Sequence, residues 1–112
     1  MRDDELRLLD IQEAIANIEA YAGKGKEAFL QDKLIRVWMV HHLQIIGEAA
    51  ANLSSELRQR NADVPWANAI AMRNILVHEY FGVDLEQVWK TVRENLPRLK
   101  QDVEGILKRL SL

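Results

Sequence analysis

The sequence contains no cysteine, which excludes several kinds of site at once. Without thiols the chain can form no disulfide framework, no Cys-ligated zinc site and no thiol nucleophile. It also has no long hydrophobic run, so no segment is expected to cross a bilayer. Its first residues are charged and lead directly into an amphipathic segment, unlike a secretory signal peptide. These absences predict a cytoplasmic protein that does not associate with a membrane.

Residues that favour strands and turns are also scarce. The chain has five glycines, two prolines and a single threonine, Thr91, and no run alternates between apolar and polar residues. Good helix formers dominate instead, and 48% apolar with 29% charged residues is typical of a globular protein. A chain of 112 residues fits one domain, residues 1–112. The expected fold class is all-α.

The chain also has no excess of positive charge. The formal net charge is −2, so the chain is unlike proteins that coat nucleic acid through bulk charge. A protein–protein interaction module is the simplest interpretation of this composition. An enzyme that contacts only a few phosphates needs no more than a local basic patch, so a nuclease is not excluded.

Apolar residues recur at helical spacing in the first half of the chain. Steps of three and four residues from Leu8 to Ile18 predict an amphipathic helix over about residues 3–21. Two glycines make residues 22–26 a predicted turn. A second helix is predicted from about residue 27 to residue 57, and it is apolar on nearly every side. In a chain this small, such a helix indicates that one of its faces packs against a second subunit.

Several residues of this second helix are small or polar, although most of its residues are apolar. Gly47 and the alanines after it form a patch of small residues that another backbone can approach closely. Glu48 lies on an apolar stripe and is either a buried partner for a cation such as Arg73 or an exposed residue. We favour the partner, because a buried charge needs one. His41 and His42 are adjacent and point about 100° apart, unlike a metal-binding pair four residues apart. We interpret both histidines as packing or interface residues.

The second half of the chain predicts shorter helices. Residues 54–64 form a polar connection, and Pro65 suits the first turn of a third helix over about residues 65–78. Asp84 is a predicted cap at the start of a fourth helix. Pro97 is expected to end or kink that helix before a last helix follows. Short connections between such helices favour an antiparallel bundle of four to five helices.

The stretch from Met72 to Gly82 carries groups that bind phosphate and move protons. In a continuous helix Asn74 and His78 lie on one face, and the long side chain of Arg73 can reach the same end. Tyr80 follows just beyond. Arginine offers a fork of donors to phosphate oxygens, and histidine titrates near neutral pH. Cleavage of RNA through its 2′-hydroxyl needs a base, an acid and positive charge on the phosphate, which these residue types can supply.

One copy of this stretch offers a single histidine, whereas the reaction needs both a base and an acid. Two copies facing each other across a two-fold axis would supply both, in agreement with the surplus apolar face of the second helix. No Asp and Glu cluster nearby has metal-ligand spacing, which disfavours a two-metal nuclease, and no cofactor is expected. A structural explanation competes with this one, because Arg73 and His78 would also stabilise the helix dipole as end caps.

The motif residues resemble those of a known family. The pattern Arg73-Asn74-x-x-x-His78 resembles the Arg-x-x-x-x-His signature of the HEPN ribonucleases, in which a polar residue follows the arginine. The continuation His78-Glu79-Tyr80 resembles the His-x-Tyr motif of the HepT toxins. Residues 64–80, residues 46–50 and residues 83–89 are similar to the same family. The resemblance extends over nearly the whole chain.

This resemblance implies an all-helical homodimer that acts as a metal-independent ribonuclease at a cleft between its subunits. Arg73 would bind phosphate and stabilise the transition state, His78 would be the general acid or base, and Asn74 would be a positioning residue. HepT proteins are toxins of type VII toxin–antitoxin systems. The implied partner is therefore an MntA-like nucleotidyltransferase antitoxin, which transfers AMP from ATP to Tyr80. Bulky, anionic AMP at that place would exclude RNA and repel its phosphates.

Two other functions agree with the same residues. In the first, the chain is a non-catalytic nucleotide- or partner-binding subunit of a two-component minimal nucleotidyltransferase, and Arg73 and His78 only bind. In the second, the chain is a structural dimerisation module, and replacing either residue lowers only its stability. RNase activity without a partner distinguishes catalysis from both.

Overall fold

The structure is a computed structural model that describes residues 2–78 and 83–111, and nearly all of these residues are helical. Within these ranges seven α-helices follow one another, and a π-helical turn joins the last two. The predicted all-α fold class is therefore confirmed. The elements are α1 (Arg2–Ala22), α2 (Gly25–Gln31), α3 (Lys33–Ala51), α4 (Ser55–Arg60), α5 (Trp66–His78), α6 (Leu85–Lys90), the π-helical turn (Thr91–Asn95) and α7 (Leu96–Leu110).

The predicted single helix over residues 27–57 is wrong, because Asp32 divides it. The Asp32 backbone is extended, with φ −97° and ψ 107°, and its carboxylate accepts a hydrogen bond from the Leu34 N–H at 2.9 Å. An aspartate in this position satisfies an N–H group that a helix start leaves unpaired, which contributes about 1 kcal/mol. A new helix, α3, therefore begins at Lys33.

The predicted polar connection over residues 54–64 contains a helix of its own. The Ser54 hydroxyl accepts a hydrogen bond from the Leu57 N–H at 3.1 Å and so caps α4. The same hydroxyl donates to the buried carboxylate of Asp4 at 2.6 Å, and the Ser54 N–H donates to the other Asp4 oxygen at 2.8 Å. These bonds join the start of α1 to the start of α4.

Helix α3 lies in the middle of the molecule, with α1 packed on one side and α5 on the other. The Trp38 indole N–H donates to the Asn17 carbonyl at 2.7 Å, so α1 and α3 run antiparallel. Helix α7 packs against α1 and brings Lys100 within 3.1 Å of Glu19. The principal extents are 43 × 27 × 20 Å, and the shortest equals about two helix diameters. The core joins buried residues from α1, α2, α3, α5 and α7, among them Leu8, Ile11, Ile15, Phe29, Met39, Leu76 and Val103.

The last helices form one nearly continuous rod. Asp84 caps α6 as predicted, because its carboxylate accepts hydrogen bonds from the Glu86 and Gln87 N–H groups at 3.0 and 3.3 Å. Pro97 does not end the rod, contrary to one of the two outcomes expected from the sequence. The π-helical turn precedes it, and there the Leu96 N–H donates to the carbonyl of Thr91, five residues back. The proline thus sits in the first turn of α7, where its missing N–H is tolerated.

One face of α3 remains uncovered even though its other faces are packed. Leu34 is 80% exposed, and Val37 and Trp38 are also exposed large apolar residues. His41 lies one turn further along the same stripe and is exposed as well. The sequence predicted a surplus apolar face on this helix, and the structure locates it at residues 34–41.

Candidate active site at the crossing of α3 and α5

The site is built where the backbones of α3 and α5 come into close contact. A Cβ atom at position 47 would lie 2.2 Å from the Cβ of Arg73 and 2.8 Å from the Ala69 carbonyl oxygen. No side chain fits into such a space, so the crossing requires the glycine at position 47. The predicted patch of small residues is therefore confirmed, and the backbone that approaches it is α5 of the same chain.

Arg73 leaves this crossing with its guanidinium held on two sides. Its Nη2 lies 2.5 Å from Oε2 of Glu48, and its Nη1 donates to Oδ1 of Asn74 at 2.8 Å. The Arg73 side chain is 31% exposed, so it is neither fully buried nor freely mobile in solvent. A guanidinium has five N–H groups, and these two contacts leave others to donate to a phosphate.

Glu48 pairs with Arg73, as the sequence predicted. Its side chain is nevertheless 56% exposed. An exposed ion pair contributes only about 0–1 kcal/mol to stability, because water and salt screen it. The main consequence of the pair is therefore geometric, since it fixes a carboxylate and a guanidinium side by side at the surface.

Asn74 contacts Arg73 through its side chain. Its Oδ1 accepts a hydrogen bond from Nη1 of Arg73 at 2.8 Å, a contact that can hold the guanidinium in place. The role of Asn74 as a positioning residue stays a prediction. His78 is the last residue of α5, but its side chain lies outside the described part of the structure. Tyr80 also lies outside the described residues, so both assignments stay predictions.

Two grooves run along either side of α5. The first has a volume of about 720 Å³ and extends from Arg58 and Gln59 on α4 to Asn74 on α5. The second has a volume of about 310 Å³ and is mostly apolar, with Met72 and Ile75 on the α5 side. Sequence reasoning missed the first groove and its arginine, because α4 was not predicted as a helix.

Arg58 differs from the other basic residues of α4 in its surroundings. Its Nε atom is inaccessible to solvent and has no hydrogen-bond partner among the described residues. Arg60, two residues later, forms an ion pair with Glu56 on the exposed side of the same helix. Arg58 also lines the first groove.

The adjacent histidines of α3 take no part in this site. His42 is 7% exposed, and its ring lies 4.5 Å from that of Trp38 and 5.1 Å from that of His41. Burial lowers the pKa of His42, the neighbouring His41 lowers it further, and Glu13 partly opposes this. A neutral, buried ring agrees with the interpretation of His42 as a packing residue.

No group of three or more His, Asp and Glu side chains in the described ranges is arranged to hold a metal ion. Among the described helices, none combines the length and the apolar character needed to cross a membrane.

Comparison with known proteins gives a consistent result. The profile of the family described as Ribonuclease HepT-like matches residues 11–106. A protein of Thermococcus cleftensis named probable ribonuclease HepT is 40% identical over 102 residues, which cover 90% of this chain and 93% of that protein.

Two further relatives are named as candidate RNases. The one from Methanocaldococcus jannaschii is 38% identical over 92% of this chain and 95% of its own length. The one from Caldanaerobacter subterraneus subsp. tengcongensis is 38% identical over 88% of both. No solved structure matches the chain.

Proposed function

The chain belongs to the HepT-like ribonuclease family, and from this membership we propose that it cleaves RNA at a site formed by Arg73, Asn74 and His78. The observation that carries the proposal is the arrangement of Arg73, whose guanidinium is held by Glu48 and Asn74 on the helix that ends at His78. Such preorganised donors stabilise the charge that develops on a phosphate in the transition state.

The proposed reaction is attack of the 2′-oxygen on the adjacent phosphorus. A base removes the proton of the 2′-hydroxyl as the new O–P bond forms, and an acid protonates the 5′-oxygen as its bond to phosphorus breaks. The products are a 2′,3′-cyclic phosphate and a 5′-hydroxyl end. His78 is one of the two proton-transfer groups, and Arg73 supplies the positive charge, so the proposed cleavage is independent of metal ions.

The groove between α4 and α5 suits the path of the RNA strand. From Trp66 to Asn74, eight residues of helix span about 12 Å, which is room for a short single-stranded segment. Arg58 stands at the far end of the groove and can contact a second phosphate. The groove is open along its length, so it would accept an internal segment of RNA, which is why we propose endonucleolytic cleavage.

A homodimer is part of this proposal. Leu34, Val37 and Trp38 form an exposed apolar stripe on α3, the helix that also carries Glu48. An apolar face of this kind is usually covered by another protein surface. A second copy related by a two-fold axis would cover it and place two copies of the site near each other.

We also propose that the chain is the toxin of a type VII toxin–antitoxin pair, regulated by AMP transfer to Tyr80. Tyr80 lies two residues after His78, so an AMP group there would stand beside the cleft. Its phosphate would occupy the position at which Arg73 binds the RNA phosphate, or it would repel that RNA phosphate. The partner is an MntA-like nucleotidyltransferase that uses ATP, in a hetero-oligomer with this chain.

One experiment with purified protein tests these assignments together. Fluorescent single-stranded RNA is incubated in EDTA with the wild type, with His78→Ala and with wild type pretreated with the nucleotidyltransferase and ATP. We expect cleavage by the wild type, a loss of about 100-fold or more in His78→Ala, and loss after pretreatment. Pretreated Tyr80→Phe should keep its activity and gain no AMP by intact mass.

Each part of the proposal can fail separately. Undiminished cleavage by a folded His78→Ala variant would remove His78 from the reaction. An AMP adduct of the same mass on Tyr80→Phe would move the modification to another residue. RNA or nucleotide binding without cleavage by the wild type would favour the non-catalytic binding subunit instead.

A further inference from the structure

We propose that Glu48 is the general base of RNA cleavage and acts in the same protomer as Arg73. This inference rests on the proposed ribonuclease function and names its second proton-transfer group. The sequence alone suggested a second histidine from another copy of the chain. The structure offers a carboxylate within one chain, at the arginine that is expected to receive the phosphate.

The position of Glu48 follows from the crossing of α3 and α5. Gly47 allows Arg73 to emerge directly against α3, and Glu48 is the next residue along that helix. Oε2 of Glu48 lies 2.5 Å from Nη2 of Arg73, and the side chain is 56% exposed. A phosphate bound to the remaining N–H groups of Arg73 would therefore lie beside this carboxylate. The carboxylate would then lie within reach of the 2′-hydroxyl that attacks this phosphate.

The charges of this arrangement suit the reaction. The Glu48 carboxylate takes the 2′-hydroxyl proton while the 2′-oxygen forms its bond to phosphorus, and the 5′-oxygen leaves with a proton from His78. One negative charge thus moves from Glu48 to the phosphate as the transition state forms. Both positions adjoin the Arg73 guanidinium, so the cation is paired before and after the transfer and need not be reoriented.

Other titratable groups near Glu48 are placed less well for this role. Among the described residues, Arg73 on α5 is the oppositely charged group within ion-pair distance of Glu48, and α1 and α2 place none there. His41 shares the exposed stripe of α3 but lies seven residues, about two turns, away. Glu13 on α1 acts on His42 instead. The ion pair with Arg73 is therefore the contact that holds the Glu48 carboxylate beside the expected phosphate position.

A carboxylate base and a second histidine predict different pH dependences. Side-chain carboxyl groups ordinarily titrate near pH 4, and histidines near pH 6.5. With a carboxylate as the base and a histidine as the acid, kcat/KM rises about fourfold as the pH falls from 7 to about 5.5, because the acid gains its proton while the base stays ionised. With two histidines the profile is bell-shaped, and kcat/KM falls about threefold between pH 6.5 and 5.5, because the base becomes protonated.

The test measures single-turnover cleavage of RNA with wild type, Glu48→Gln and Glu48→Asp, from pH 5.5 to 8. Glutamine keeps the shape and can still accept a hydrogen bond from Arg73, but it cannot take a proton. We expect Glu48→Gln to lower kcat by about 100-fold or more with little change in KM. Glu48→Asp should restore part of the rate and keep the rise of kcat/KM toward pH 5.5.

Glu56→Gln is the matched control. Glu56 is also a half-exposed glutamate paired with an arginine, Arg60, at 2.5 Å, but it lies on the solvent side of α4. Its replacement should leave the rate and the pH profile unchanged. Thermal unfolding of each variant verifies that differences in rate do not come from loss of the fold.

Several outcomes would overturn the proposal. A rate within about threefold of wild type in Glu48→Gln would show that Glu48 only positions Arg73. A lower KM with unchanged kcat would show that it competes with phosphate. A fall of about threefold in wild-type kcat/KM between pH 6.5 and 5.5 would assign the base to a histidine. In these cases the loss of activity in His78→Ala still supports the ribonuclease function, whereas no cleavage by wild type at any pH removes both proposals.

Discussion

His42 is a residue whose burial should make the stability of the protein depend on pH. Its pKa is lowered in the fold by burial and by His41, so it stays neutral where an unfolded chain takes up a proton. Between the lowered pKa and about 6.5 the unfolded state therefore binds more protons, and stability falls as the pH falls. At pH 5.5 this loss is at most about 1.4 kcal/mol, because that is the free energy of protonating a free histidine one unit below its pKa.

The measurement compares urea unfolding of wild type and His42→Leu at pH 7.5 and pH 5.5. We expect the wild type to lose more free energy of unfolding over this interval than His42→Leu, which cannot take up a proton at this position. His41→Gln should lose less than wild type, because it removes the neighbouring charge that lowers the pKa of His42 in addition to burial. Equal losses in wild type and His42→Leu would contradict the prediction.

At the scale of single residues, the sequence predicted which side chains contact each other better than it predicted what each side chain does. It placed Arg73 and Asn74 at one end of a helix and paired Glu48 with Arg73, because spacing and the need of a charge for a partner are local arguments. It did not predict that Asn74 would bind Arg73, since that depends on the rotamers of two adjacent side chains. It missed Arg58, because the groove beside Arg58 exists only once α4 and α5 are packed.

At the scale of elements, Gly47 determines how closely α3 and α5 can pack. Gly47→Ala adds a methyl group that would clash with the Cβ of Arg73 and with the backbone of Ala69, neither of which is a flexible chain end. We expect a loss of about 1–3 kcal/mol in the free energy of unfolding, even after the gain in helix propensity of about 1 kcal/mol. Chemical denaturation measures this loss directly.

Gly105→Ala is the matched control on α7. A Cβ atom there would lie 3.6 Å from Nη1 of Arg109, its nearest neighbour among the described residues, which is an ordinary contact. This variant should gain about 0.5–1 kcal/mol, because alanine favours the helix and nothing opposes it. Equal effects of the two substitutions would mean that the crossing can open without cost.

The cleavage rate of Gly47→Ala should also fall, since the variant separates Glu48 from Arg73.

Element boundaries followed from the sequence only where the signal was local. The cap at Asp84 and the start of α5 after Pro65 were predicted, because each depends on one residue and its immediate neighbours. The break at Asp32 was missed, because the apolar pattern continues across it and gives no sign of a new helix. The π-helical turn before Pro97 was missed for a similar reason, since a proline alone does not show whether a helix ends or adapts.

At the scale of the whole molecule, α3 has more apolar surface than the other described helices cover. Helices α1 and α5 cover two of its sides, and the stripe from Leu34 to Trp38 stays exposed. The bundle and the surplus face were predicted from periodicity, because a helix that is apolar all round must be buried all round. Which side would be left uncovered depends on how the other helices pack, and periodicity does not contain that information.

The exposed stripe leads to a prediction about assembly. Leu34→Glu, alone or with Val37→Glu, places charge on the uncovered face, and Leu34 is 80% exposed, so the fold of one chain should tolerate it. We expect wild type to have twice the 12.9 kDa mass of one chain in light scattering, and the variant to have the mass of one chain. Leu110→Glu, at a 41% exposed apolar residue near the end of α7, should leave the assembly unchanged.

The same variant connects assembly to mechanism. If Glu48 is the base, all of the named proton-transfer groups lie in one chain, and the monomeric variant should keep a measurable cleavage rate with an unchanged pH profile. If the base is the histidine of a second copy, the rate should vanish with the dimer and return as protein concentration is raised. A wild type that is monomeric at every concentration would contradict the proposed dimer and leave the exposed stripe of α3 to a different partner.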